Sequence, residues 1–192
     1  MGNPVLFLTS VMILLIMPGP TNTLLATSGA TVGFRRSTPL LLGELAGYIV
    51  SILLIEFVLG PTMSRAPSTA LVLRAAAGAY LMVLSIKLWT AAFVLAHAVI
   101  SLRQVFVTTL LNPKAFVFAL VIIPFGLPHA SLYFSAFTAI VPAIGTLWIV
   151  IGTLLGRNTQ PKYVKAFPKA ASVVLAIISA TLIGSAFFTP RH

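Results

Sequence analysis

Few residues of this chain are suited to chemistry. Glu44 and Glu56 are its only acidic residues, and both fall in one apolar stretch. A carboxyl group at membrane depth is a candidate proton carrier, because its charge is costly there without a partner or water. The two stand twelve residues apart, about 18 Å along a helix, too far to act as a carboxylate pair. Lys114 is the one basic residue placed inside an apolar stretch. It needs a partner: the carboxylate of a small solute, Glu44, or the interface reached by snorkelling. Beside these groups lie two proline breaks, Met17-Pro18-Gly19-Pro20-Thr21-Asn22 and Leu111-Asn112-Pro113-Lys114. Each proline removes a backbone donor and clashes with the preceding turn, so carbonyls are left free where lipid offers no donor. One such break in each half of a membrane chain is the pattern of a solute site built from discontinuous helices.

The candidate solute-binding residues are therefore Pro18, Gly19, Pro20, Asn22, Asn112, Pro113 and Lys114, with Glu44 and Glu56 as coupling groups. Asn22 is assigned to binding, and the neighbouring threonines to satisfying freed carbonyls. Asn112, preceding a proline, is biased away from helical backbone, consistent with a discontinuous helix, with a mere kink as the alternative. Glu56 has a second reading as the partner of Arg74 in an outer salt bridge. Gly29 with Gly33, and Gly43 with Gly47, have helix-contact spacing. The latter pair flanks Glu44, so a close backbone there would narrow the space beside the carboxyl.

Composition defines the medium. Hydrophobic residues make up 59% and charged residues 7% of the 192, against about 25% charged in soluble domains. The chain is an all-α, polytopic membrane protein by this measure, and at about 20 residues per span there is room for roughly six spans and no soluble domain. The net charge of +10 comes from scattered residues rather than a basic stripe, which argues against nucleic acid. The absence of cysteine removes disulfides, thiolate metal sites and thiol catalysis. His97, His129 and His192 fall in connections or at the end, and aspartate is absent, so no metal or cofactor is expected and an intramembrane enzyme is disfavoured. A passive channel or a structural membrane subunit is the alternative to a carrier. The first apolar run has no preceding Lys or Arg, so it is expected to be a span and not a signal peptide.

Apolar stretches predict spans near residues 4–27, 39–60, 70–90, 105–127, 132–155 and 169–188. Residues 91–104 form a connecting segment that is apolar enough to dip into the membrane or lie along it. Connections one, three and five carry Arg35, Arg36, Lys87, Arg103, Arg157, Lys162, Lys165 and Lys169, whereas the other side carries Arg65, Arg74 and Arg191. The positive-inside rule then places both termini outside. Residues 1–192 form one transmembrane domain with halves 1–90 and 105–188, each of three spans and so expected as an inverted repeat. On these boundaries both breaks and Glu44 lie in one layer about 10 Å or less from the cytoplasmic helix ends.

The Pro18-Gly19-Pro20 break with Asn22, the glycines at 29, 33, 43 and 47, the run Leu73-Arg74-Ala75-Ala76-Ala77-Gly78-Ala79-Tyr80-Leu81, and Leu111-Asn112-Pro113-Lys114-Ala115 occur in order along the chain. Together they resemble the LysE/RhtB family of amino-acid exporters. The resemblance implies a six-span carrier of the bacterial inner membrane that exports amino acids or similar small metabolites, driven by a proton or ion gradient, with no cofactor. Its expected partners are the small-molecule substrate, the lipid bilayer and a possible second copy of the chain. Many relatives carry an aspartate in the fifth span, whereas this chain reads Ile140-Val141-Pro142-Ala143-Ile144. Its segment after the third span is also shorter and less polar than in most of the family. Glu44 is the candidate substitute for the missing acid.

Overall fold

Prolines and side-chain caps decide where the helices of this chain begin. The computed structural model describes residues 3–59, 99–125 and 128–158, with isolated helical positions between 79 and 86 and between 173 and 180. The elements are α1 (Pro4–Ile16), α2 (Pro20–Val32), the single turn α3 (Phe34–Ser37), α4 (Leu40–Leu54), α5 (Leu102–Leu110), α6 (Pro113–Val117) and α7 (Ala130–Asn158). π-helical turns continue α4 over Ile55–Leu59 and α6 over Phe118–Ile122. Helices α1, α2 and α6 start on proline, whose missing N–H is one that a first turn leaves unpaired anyway. The side chains of Asn3 and Ser101 accept from Val5 N and Gln104 N at 2.9 and 3.1 Å, capping α1 and α5. Gly33, with φ of 83°, closes α2 in a conformation that other residues rarely adopt.

Among the described residues, the segments Phe34–Val58 and Ala130–Gly156 are each long and apolar enough to cross a membrane unbroken. The pair α1 and α2 meets at 58°, and α5 meets the α6 segment at 45°. Each pair has the length and composition of one broken span. Val5, Ile13, Leu42, Phe57, Val121 and Leu132 are exposed, as suits a lipid-facing surface and not a soluble one. The two breaks fall where the prolines predict. Apart from those isolated helical positions, the expected spans at 70–90 and 169–188 lie outside the described residues, as do residues 91–98 and the Arg74 partner of Glu56.

Two glycine seams hold the spans in parallel pairs. On one, a β-carbon at Gly152 or Gly156 would strike the backbone of Ala26 or Ala30, and one at Gly29 would strike Ile149 O; α2 thus runs backbone to backbone along α7. On the other, β-carbons at Gly43 and Gly47 would stand 2.8 Å from Leu102 O and 2.8 Å from Phe106 O, which docks α4 on α5. Small residues at such crossings let helices gain van der Waals contact that lipid cannot replace.

The helices outrun their expected ends. The first span continues past residue 27 to Val32, the second begins at Phe34 and the fourth at Leu102. Thr21, Glu44 and Asn112 therefore lie ten or eleven residues from those ends, roughly 15 Å along the helices. This corrects the shallower placement expected from sequence. Its cause is local: Ser28 in the last turns of α2 bonds Ser37 of α3 at 2.8 Å, and the Thr31 hydroxyl returns to Thr27 O at 2.9 Å, so polar residues that resemble a loop remain helical.

Candidate functional site

Along each described span, polar groups separate two apolar clusters. One cluster holds Leu15, Tyr48, Ala115 and Val141, and the other holds Leu24, Leu40, Val105 and Trp148. Between them lie residues 17–22 at the first break, Glu44 on α4, Thr109 to Lys114 at the second break and Gly145 on α7. The polar groups thus form one layer through the middle of the helix assembly.

The two breaks meet in that layer. Lys114 Nζ donates to Met17 O at 2.5 Å, and the lysine end passes so close to Gly19 that a β-carbon there would stand 3.1 Å from Cε. Lys114 is 4% exposed, so it does not snorkel to the interface. Asn112 has extended backbone, with ψ of 126°, as its place before proline predicts. Its side chain works at both ends. Oδ1 accepts from Lys114 N at 3.1 Å and caps α6, while Nδ2 lies 3.1 Å from Thr21 Oγ1 and 3.3 Å from the Tyr48 hydroxyl. Thr21 in turn bonds Thr109 Oγ1 at 3.0 Å.

Asn22 and Thr21 both serve the junction of the breaks. Asn22 Nδ2 donates to Leu15 O at 2.7 Å and Met17 O at 2.9 Å, satisfying carbonyls that the prolines leave free. Thr21 provides the contact across to the second break. Pro18, Gly19 and Pro20 shape the first break, and Pro113 opens the second helix.

Glu44 is 1% exposed, and its Oε2 has no hydrogen-bond partner among the described residues. It is not hydrogen-bonded through that oxygen to Lys114, yet the two are near enough for each charge to act on the other, and Tyr48 also feels Glu44. An acceptor buried without a donor is costly, so this oxygen must acquire a proton or a partner. Glu56 stands apart, in the π-helical turn at the far end of the same span.

Three residues at or beside the layer are missing from the sequence-based site: Thr109, Gly145 and Tyr48, whose ring lies in the first apolar cluster and whose hydroxyl meets Asn112. Tyr48 sits one helical turn after Glu44, and Thr109 three residues before Asn112; these spacings place both on the relevant faces. For Gly145 the sequence carries no such signal. Among the described residues no group of His, Asp or Glu is arranged to hold a metal ion.

Two bent helix pairs, each a broken span or a re-entrant loop, meet at a buried polar layer, an arrangement in keeping with membrane translocators of small solutes. The LysE type translocator family matches residues 12–189, and the chain belongs to that family, as its proline and glycine motifs imply. Its function is accordingly membrane transport of small molecules. No curated protein and no solved structure matches the chain.

Proposed function

We infer that the protein is a secondary exporter of amino acids or similar small metabolites across the bacterial inner membrane, coupled to the proton gradient as an antiporter. The observation that carries this reading is the contact between Lys114 and Met17 O, which joins the two bent helix pairs beside a carboxyl group whose Oε2 has no partner among the described residues. Solute enters from the cytoplasm. Its carboxylate takes the Lys114 ammonium from Met17 O, which parts the breaks, and protonation of Glu44 biases the exchange between inward-open and outward-open forms. Asn112 and the exposed helix ends at Pro18 to Pro20 complete the solute site.

The six-span arrangement with both termini outside has support in direction and charge. Spans two and four run parallel, since Gly43 meets Leu102 and Gly47 meets Phe106 and Thr109, as alternation with a crossing between them requires. Arg35, Arg36 and Arg103 lie at the same end of these spans, the end that the positive-inside rule makes cytoplasmic. Two breaks, one in each half, are also compatible with an inverted repeat, whose pseudo-two-fold axis lies in the membrane plane.

The test is reconstitution into liposomes loaded with a mixture of the twenty amino acids, with efflux followed by mass spectrometry under an imposed proton gradient. Saturable efflux that rises with the gradient in the wild type, and loses that dependence in Glu44→Gln, is the expected result. Efflux indifferent to the gradient in both would remove the coupling role of Glu44, and no efflux of any amino acid would remove the amino-acid substrate.

A further inference from the structure

The Glu44 carboxyl occupies a gap in the neighbouring helix. A β-carbon on Gly145 of α7 would overlap Glu44 Oε2, and would stand 3.3 Å from its Cδ and 2.7 Å from Leu41 Cδ2. The leucine tip can rotate away at little cost. The carboxyl is the end of a flexible side chain, so a methyl group at 145 would swing it out of this position; the adjoining face of α4 is docked on α5 through Gly43 and Gly47, which leaves the helix itself in place. Among the described residues no donor holds Oε2. What gives it its position in the polar layer is shape: helix α7 has no side chain where the carboxyl sits.

We propose that Gly145 is the positioning residue for Glu44. By having no side chain it leaves the carboxyl group its place in the polar layer, where Lys114 on α6 and Tyr48 on α4 are the titratable groups that face it among the described residues; α7 presents Gly145 there. The proposal rests on the reading of Glu44 as the coupling group. It makes a reciprocal prediction about volume: a methyl group added at 145 expels the carboxyl, and a methylene removed at 44 makes room for that methyl.

The experiment compares wild type, Gly145→Ala, Glu44→Asp and Glu44→Asp/Gly145→Ala in the amino-acid-loaded liposomes, with gradient-driven efflux measured across pH. Gly145→Ala is expected to lower the maximal rate by at least about tenfold and to change the pH profile, and Glu44→Asp in the same chain to recover most of the rate and the original profile. A Gly145→Ala protein with the wild-type rate and pH profile overturns the proposal, as does a folded double variant no better than Gly145→Ala. If Glu44→Gln alone keeps normal gradient-dependent efflux, the coupling reading fails first, and that outcome is separate from a failed rescue. Thermal unfolding in detergent supplies a readout that needs no substrate and covers poor folding of Gly145→Ala. In the background of Glu44→Ala, the alanine at 145 is expected to cost much less in melting temperature than in the wild type, and equal costs in both backgrounds overturn the proposal.

Discussion

Lys114 reaches across from the second broken span to the carbonyl of Met17, the residue at which the first helix of the other broken span ends. The C-terminal end of a helix carries partial negative charge on its unpaired carbonyls, so the ammonium is the natural group to meet it. The same carbonyl also accepts from Asn22. Removing the amine thus leaves Met17 O with a donor. Lys114→Met, which keeps the apolar stem, is expected to change stability by no more than about 1 kcal/mol while lowering efflux by at least about tenfold. Lys114→Arg should not restore it, because a planar guanidinium is too broad for the passage over Gly19. Thermal unfolding in detergent beside liposome efflux separates the two effects.

Asn112 combines a cap with a cross-link, and substitutions can divide them. Asn112→Ala loses the acceptor for Lys114 N together with the contacts to Thr21 and Tyr48. It should destabilise by about 1–2 kcal/mol for the cap alone, with a further loss for the buried partners left behind. Tyr48→Phe removes only one contact and should cost about 1 kcal/mol. Combining Tyr48→Phe with Asn112→Ala should cost less than the sum of the two, because they share a bond. Melting temperatures of the single and double variants give the coupling directly.

Local chemistry made the breaks legible, and distance hid the rest. Pro18, Pro20 and Pro113 act on their own backbone, so their effect can be read without knowing any neighbour, and the extended conformation of Asn112 follows from the residue beside it. The depth of the site could not be read in this way, because the last turns of α2 depend on Ser28 finding Ser37. Which of Asn22 and Thr21 spans to the second break was hidden because both are short polar residues next to a break. Only the position of Thr109, far along the chain, decides which of them faces the second span. Gly145 and Glu44 are separated still further, and a single glycine in an apolar helix gives no hint of the carboxyl it admits.

The seam between α2 and α7 should be the most sensitive part of the assembly to added volume. At Gly152 a β-carbon would enter the Ala26 backbone, and backbone has no alternative rotamer. Gly152→Ala is therefore expected to separate the helices and destabilise by roughly 1–3 kcal/mol as overpacking does, and Gly152→Leu to prevent assembly of the monodisperse protein. Gly33→Ala meets nothing within 4 Å and suffers only from its backbone at φ 83° and ψ 171°, a region essentially confined to glycine, at about 1–3 kcal/mol. Fluorescence-detected size exclusion after graded heating should keep Gly33→Ala monodisperse under conditions in which Gly152→Leu is lost.

Thr21 and Thr109 offer a way to hold the two breaks together. Their hydroxyl oxygens are 3.0 Å apart, and sulfur atoms at similar positions need only a modest approach to reach the roughly 2.05 Å of a disulfide. Because the chain contains no cysteine, Thr21→Cys/Thr109→Cys introduces the only pair able to react. Oxidation should lock the junction, stop efflux if the breaks must part for solute to pass, and be reversed by dithiothreitol. Ser28→Cys/Ser37→Cys is the control: its hydroxyls are 2.8 Å apart, but it ties α2 to the adjoining turn α3 and leaves the junction free. Its oxidised form should transport as well as its reduced form. Equal efflux from the oxidised and reduced Thr21/Thr109 variant, with the cross-link verified by mass spectrometry, would show that solute moves without separating the broken spans.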